Sequence, residues 1–159
     1  MSAALAAARV GALLAARGER VAVAESSAGG LVSARLLAVP GASAFFLGGG
    51  VVYTAAARQG LLGISPEDMA GMRPSTEAYA ALMAERVRAR LGADWGVAET
   101  GAAGPSGNRY GDAAGHACLA VAGPVALVRT VETGSGDRGA NMEAFAEAAV
   151  LLLESALSR

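Results

Sequence analysis

The sequence predicts an α/β fold: a three-layer α/β/α sandwich around a mixed β-sheet, as a single domain over residues 1–159. Three observations predict it. Segments of helical period alternate with short apolar runs, in the order α-β-α-β-α-α-β-β-β-α. Gly, Pro, Asn and Ser cluster between those segments. A chain of 159 residues with no internal repeat and no linker suits one core.

The first helix is expected over Ala3–Arg17, with Leu5, Leu13 and Leu14 on its apolar side and Gly18 ending it. Arg20–Ala24 reads as a short buried strand, and Leu31–Ala38 as a helix stopped by Pro40-Gly41. Ala44–Leu47 and Val51–Thr54 read as a strand region bent at a Gly48-Gly49-Gly50 hinge, followed by a short helix over Ala55–Leu61. Pro66–Met72 reads as turn or short helix. Ser75 or Thr76 then caps a long helix that runs through Arg90, with Tyr79, Leu82, Met83, Val87 and Leu91 at helical spacing and Gly92 at its end. Trp95–Glu99 reads as a strand and Thr100–Gly115 as a long loop. His116–Ala122 and Val125–Glu132 read as a strand pair. The last helix is expected over Arg138–Ser155, facing inward through Met142, Phe145, Ala149, Leu152 and Leu153.

Composition excludes several functions. All 13 basic residues are arginine, so no lysine is present for a Schiff base or as a general base. A net charge of -1, no basic patch and 4% aromatic residues argue against nucleic acid as a partner. The one cysteine, Cys118, allows no intrachain disulfide and fits a reducing, cytoplasmic setting. No membrane span is expected, because no uncharged apolar stretch is long enough. The acid-free segment before Glu19 has a faint transit-peptide character, but reads better as the first helix.

Three turns sit at strand ends, where open α/β folds place ligands. In Glu25-Ser26-Ser27-Ala28-Gly29-Gly30, a strand turns into a helix. Its free N–H groups suit an anion or oxyanion, and a serine there reads either as a nucleophile or as a helix N-cap. After Tyr53 and Thr54, Arg58 lies one helical turn on. It reads either as a bidentate phosphate clamp or as a solvated surface arginine. Thr100-Gly101-Ala102-Ala103-Gly104-Pro105-Ser106-Gly107-Asn108 follows a strand and can cradle phosphate on its backbone, although it matches no Walker or dinucleotide pattern. A loop of that length is often functional. His116, the single histidine, reads as a packed strand residue or as a lone base. With Cys118 expected on the opposite face of the strand, no metal site is expected.

Together these turns resemble the C-terminal domain of the competence/damage-inducible CinA proteins, from about Leu5 to Leu153. The family's AES-C-T-GG motif corresponds to Ala24–Gly30, PGAS to Pro40–Ser43, and VTYSN-x-A-K to Val51–Arg58. TGIAGP-x-GG corresponds to Thr100–Asn108 and GDR to Gly136-Asp137-Arg138. The resemblance implies hydrolysis of the amide of nicotinamide mononucleotide, giving nicotinate mononucleotide and ammonia, with no cofactor. It implies Ser26, Arg58 and Arg138 as the catalytic positions. Glu25, Ser27, Gly29, Gly30, Tyr53, Thr54, Thr100, Gly101, Gly104 and Gly107 would line the substrate. The family's lysine falls on Arg58, and its Cys, Thr and Asn fall on Ser27, Ala28 and Ala55. Arginine stays protonated, so Arg58 is a poor base for a serine.

Three functions are therefore expected in turn. The first is an amidase in which Ser26 attacks the carboxamide, amides near Ala28–Gly30 hold the oxyanion, and the base is Glu25, His116, Tyr53 or a water. The second is a binding or regulatory module that holds a small phosphorylated nucleotide without turnover. The third is an interaction protein that forms a homodimer or higher homo-oligomer. In the family this domain often follows a molybdopterin-binding-like domain, which this chain is expected to lack.

Overall fold

The apolar runs form the five strands of one mixed sheet: β1 (Val21–Glu25), β2 (Phe46–Val51), β3 (Trp95–Ala102), β4 (His116–Ala122) and β5 (Leu127–Glu132). The computed structural model describes residues 2–159. The strand order is β2-β1-β3-β4-β5. β2, β1 and β3 run parallel, while β4 and β5 continue antiparallel. Every residue of β1 and β4 is buried, as a strand covered on both faces requires.

Two apolar layers cover the sheet. On one face lie α1 (Ser2–Arg17), α2 (Leu31–Leu37) and α5 (Arg138–Leu157). On the other lie α3 (Ala55–Leu62) and α4 (Glu77–Leu91). In α1, Leu14 faces the core and Leu13 packs against it as expected, but Ala6, Ala7 and Val10 join them, while Leu5 is 46% exposed. Small residues let α1 lie close to α5, and Arg9 pairs with Glu154 across the two helices. On the other face, Gly96 lets α4 rest directly on β3. A Cβ there would sit 2.0 Å from the Ala84 carbonyl oxygen.

Three further boundaries differ from the sequence reading. Gly48–Gly50 form no hinge; they continue β2 and pair with Ala22, Val23 and Ala24. A Cβ on Gly49 would lie 2.3 Å from the Val23 carbonyl, so the glycine permits the pairing rather than a bend. Thr100, Gly101 and Ala102 belong to β3, because they pair with Cys118, Ala117 and His116. The loop that follows is therefore 103–115. β5 begins at Leu127 rather than Val125.

Because β1, β2 and β3 are parallel, their C-terminal ends converge on one edge of the sheet. The three turns singled out in the sequence meet there.

Candidate functional site

A cavity of about 330 Å³ opens at that edge. It is lined by Ser26 after β1, by Tyr53, Ala55 and Arg58 after β2, and by Thr100 and Gly101 in β3. Pro74 and Ser75, which precede α4, and Asn108, Arg109 and Tyr110 of the 103–115 loop complete it.

The turn behind Ser26 is closed by the protein's own carboxylates. Glu25 accepts hydrogen bonds from the amides of Gly30 (3.1 Å), Val32 (2.9 Å) and Ser33 (2.9 Å), so the start of α2 already holds an anion. Glu99, fully buried in β3, accepts from the amides of Ser26 (3.0 Å) and Ala28 (2.8 Å) and bonds the Ser27 hydroxyl. Burial pushes the Glu99 carboxyl up, and the nearby Glu25 adds to the rise against the pull of those three donors. The Gly29 amide donates to the Ser26 carbonyl at 3.2 Å. The amides of Ala28, Gly29 and Gly30, expected to hold an oxyanion, are therefore all engaged within the turn. Glu25 and Ser27 face inward; Ser26 is the side chain of this turn that lines the cavity. Gly29 and Gly30 take positive φ, +66° and +104°, which lets the turn fold back onto its carboxylates.

The second turn splits its residues between jobs. Thr54 caps α3 by accepting from the Ala57 amide at 3.1 Å. Arg58, one turn into α3, lies over the Tyr79 ring at 5.6 Å. Burial raises the Tyr79 phenol, and the Arg58 guanidinium pulls against that rise. Tyr53, 59% exposed, accepts from Arg138 at 3.3 Å. Arg138 also bonds the Gly104 carbonyl. It thus ties the start of α5 to both neighbouring turns, from beside the cavity rather than within its lining.

The 103–115 loop is closed by its own side chains. The Asn108 side chain accepts from the amides of Tyr110 (3.0 Å) and Asp112 (3.1 Å) and donates to the Asp112 carboxylate at 2.8 Å. Gly107 serves this closure, since a Cβ there would meet the Asp112 carbonyl at 2.1 Å. Arg73 pairs with Asp112 at 2.8 Å and holds its carboxyl below the usual range, with help from Asn108 against partial burial. Two guanidiniums, those of Arg73 and Arg109, lie over the Tyr110 ring, each 5.0 Å from its centroid.

His116 and Cys118 share one face of β4, contrary to the expectation above. Residues two apart in a strand point the same way, and the sulfur lies 3.7 Å from Nε2. Both imidazole nitrogens are bonded, Nδ1 to Glu132 at 2.5 Å and Nε2 to the Ser75 carbonyl at 2.9 Å. His116 is therefore not a free base beside Ser26. Burial raises the Cys118 thiol.

Ser26, Tyr53, Arg58, Thr100 and Gly101 thus meet as the sequence reading proposed. Ala55, Pro74, Ser75, Arg109 and Tyr110 are additions to that list, and Asn108 lines the cavity as well as closing the loop. The signal that points to the last three is the dense Asn-Arg-Tyr-Gly-Asp run inside a glycine-rich loop.

A mixed sheet between helical layers, with a cavity where its parallel strands end, defines a three-layer α/β domain. Within that class the chain belongs to the CinA C-terminal domain family, whose pattern matches residues 3–157. A CinA-like protein of Anaeromyxobacter sp. (strain K) is 45% identical over 144 residues, covering 91% of this chain and 35% of that protein. A CinA-like protein of Prochlorococcus marinus (strain MIT 9313) is 48% identical over 112 residues, covering 70% of this chain and 26% of that protein. The chain thus spans about a quarter to a third of these relatives' length. Among solved structures, the CinA superfamily protein of Enterobacter cloacae superposes with a TM-score of 0.91 at 31% identity, over 99% of this chain and 93% of that one. The competence/damage-inducible protein CihA of Agrobacterium tumefaciens gives 0.91 at 28% identity, over 100% and 97%. Among the described residues no helix is long and apolar enough to cross a membrane.

Proposed function

We propose that this CinA-family domain binds a small phosphorylated nucleotide of the pyridine-nucleotide kind in the cavity, and does not turn it over by the serine route that the family resemblance implies. One observation carries the reading. The lining sets two guanidiniums, Arg58 and Arg109, and two tyrosines around Ser26, with no carboxylate, imidazole or amine among them. Guanidiniums bind phosphate in a fixed fork, and the exposed Tyr53 ring suits contact with a flat ring. Serine attack needs a group that takes the hydroxyl proton, and a guanidinium does not let go of its own. The candidate bases already have partners: Glu25 and Glu99 take up the amides around the Ser26–Gly30 turn, His116 bonds Glu132 and Ser75, and the Tyr53 hydroxyl accepts from Arg138.

The test is calorimetric titration of nicotinamide mononucleotide into the wild type and Arg109→Ala. The reading expects measurable binding, weakened about tenfold by the variant, as loss of one charged hydrogen bond of about 1.5 kcal/mol gives. No binding to the wild type overturns it.

A further inference from the structure

Ser75 is the single non-glycine residue with positive φ among the described residues, at +62°. Such a backbone costs free energy and persists only where its surroundings hold it. Here its two peptide groups are held from opposite sides. The Ser75 amide donates to Thr100 Oγ1 at 3.1 Å, and its carbonyl accepts from His116 Nε2 at 2.9 Å. Ser75 is itself buried and lines the cavity beside Pro74, so His116 holds the backbone of a residue of the cavity wall.

The chemistry around the ring decides its charge. Nδ1 faces the Glu132 carboxylate at 2.5 Å and Nε2 faces a carbonyl oxygen, which accepts but never donates. Both contacts are satisfied together only when both ring nitrogens carry a proton. Every element packed on the ring contributes to this setting. β5 supplies Glu132. The 103–115 loop supplies Asp112 at 3.7 Å, itself paired with Arg73. β4 supplies Cys118, whose sulfur also meets the Ser75 carbonyl at 3.5 Å and Thr130 at 3.4 Å. α4 supplies Glu77, bonded to Thr130 at 2.7 Å.

We propose that His116 is a positioning residue for the cavity: doubly protonated, it holds Ser75 in its left-handed conformation and so sets the Pro74–Ser75 wall, and loss of a ring proton loosens that wall and weakens binding of an anionic nucleotide. When the ring is neutral and Nδ1–H stays on Glu132, the Nε2 lone pair points at the Ser75 carbonyl. The bond becomes a repulsion, and the held backbone is freed. Burial opposes the charge on the ring, but the bonds to Glu132 and to the Ser75 carbonyl, with the charge of Asp112, outweigh it and raise the imidazole above its ordinary value of 6.5. A raised folded-state value means that the clamp is complete below 6.5 and is lost as pH rises through that higher value.

His116 is the one histidine of the chain, so its imidazole resonances in the ¹⁵N-labelled protein need no separation from others. The experiment is a nuclear magnetic resonance titration from about pH 5 to 9.5, following the ring nitrogens and the Ser75 amide in the wild type and in Glu132→Gln. The proposal expects one shared midpoint for ring and amide, moved down together in the variant. A Ser75 amide that is flat while the ring titrates, or unmoved while the ring midpoint shifts, overturns it. Nicotinamide mononucleotide is titrated in parallel from about pH 7 upward, where its phosphate stays dianionic. The dissociation constant is expected to rise by up to tenfold per pH unit above the ring midpoint, and a pH-independent value overturns the proposal. This second arm rests on the nucleotide-binding reading. If no binding is seen at any pH, that reading fails and the coupling of ring to Ser75 still decides the proposal.

Discussion

Two glycine-rich turns follow parallel strands in this domain, and they do opposite things. The Ser26–Gly30 turn after β1 folds over two buried carboxylates, Glu25 and Glu99, which take up its amides. The 103–115 loop after β3 satisfies itself through Asn108 and Asp112 and turns Arg109 and Tyr110 toward the cavity. A strand followed by glycines is therefore not enough to mark an anion site. What matters is whether the chain already supplies the anion. In the first turn it does; in the second the acidic group is paired with Arg73, and Arg109 faces the ligand space.

The largest expected effect breaks the first turn. Glu99→Ala strips the acceptor from the buried Ala28 amide and Ser27 hydroxyl and from the part-buried Ser26 amide. Each unpaired buried donor costs about 1–3 kcal/mol, so the variant is expected to lose at least about 3 kcal/mol in urea unfolding. A loss under about 1 kcal/mol would mean that the turn is not closed by Glu99. A middle-sized effect sharpens the second region. Tyr110→Ala removes the ring that both Arg73 and Arg109 stack on, and is expected to weaken nucleotide binding about tenfold while costing stability only about 1 kcal/mol. Titration and unfolding of the same sample separate the two. The smallest effect concerns Thr54. Its role as the cap of α3 predicts a loss of about 1 kcal/mol in Thr54→Ala, with nucleotide affinity unchanged. A drop in affinity at wild-type stability would return Thr54 to the ligand.

The fold was legible because its signals are local. Alternation of apolar runs with helical segments located every strand and α-helix, though not the 3-10 turn at Ala42–Ala44, and of the two capping candidates Thr76, with Gly92, bounds α4. Errors arose where long-range pairing decides. Gly49 reads as a hinge until Val23 is placed against it, and Thr100–Ala102 read as loop until β4 pairs with them. The site was legible as a set of turns but not as roles. Glu99 stands far along the chain from Ser27 and carries no motif of its own, so nothing in the sequence says that it fills the first turn. The clamp between His116 and Ser75 is likewise a contact across distant segments.

The measurement that tests the account most directly is ammonia release from nicotinamide mononucleotide by the wild type, beside Ser26→Ala and a protein-free blank. A cavity whose lining holds two guanidiniums and no carboxylate, imidazole or amine predicts release at the blank rate in both proteins, under conditions where calorimetry shows the nucleotide bound. Release by the wild type that Ser26→Ala abolishes would contradict it, and would show that a base reaches Ser26 by a route this arrangement does not provide.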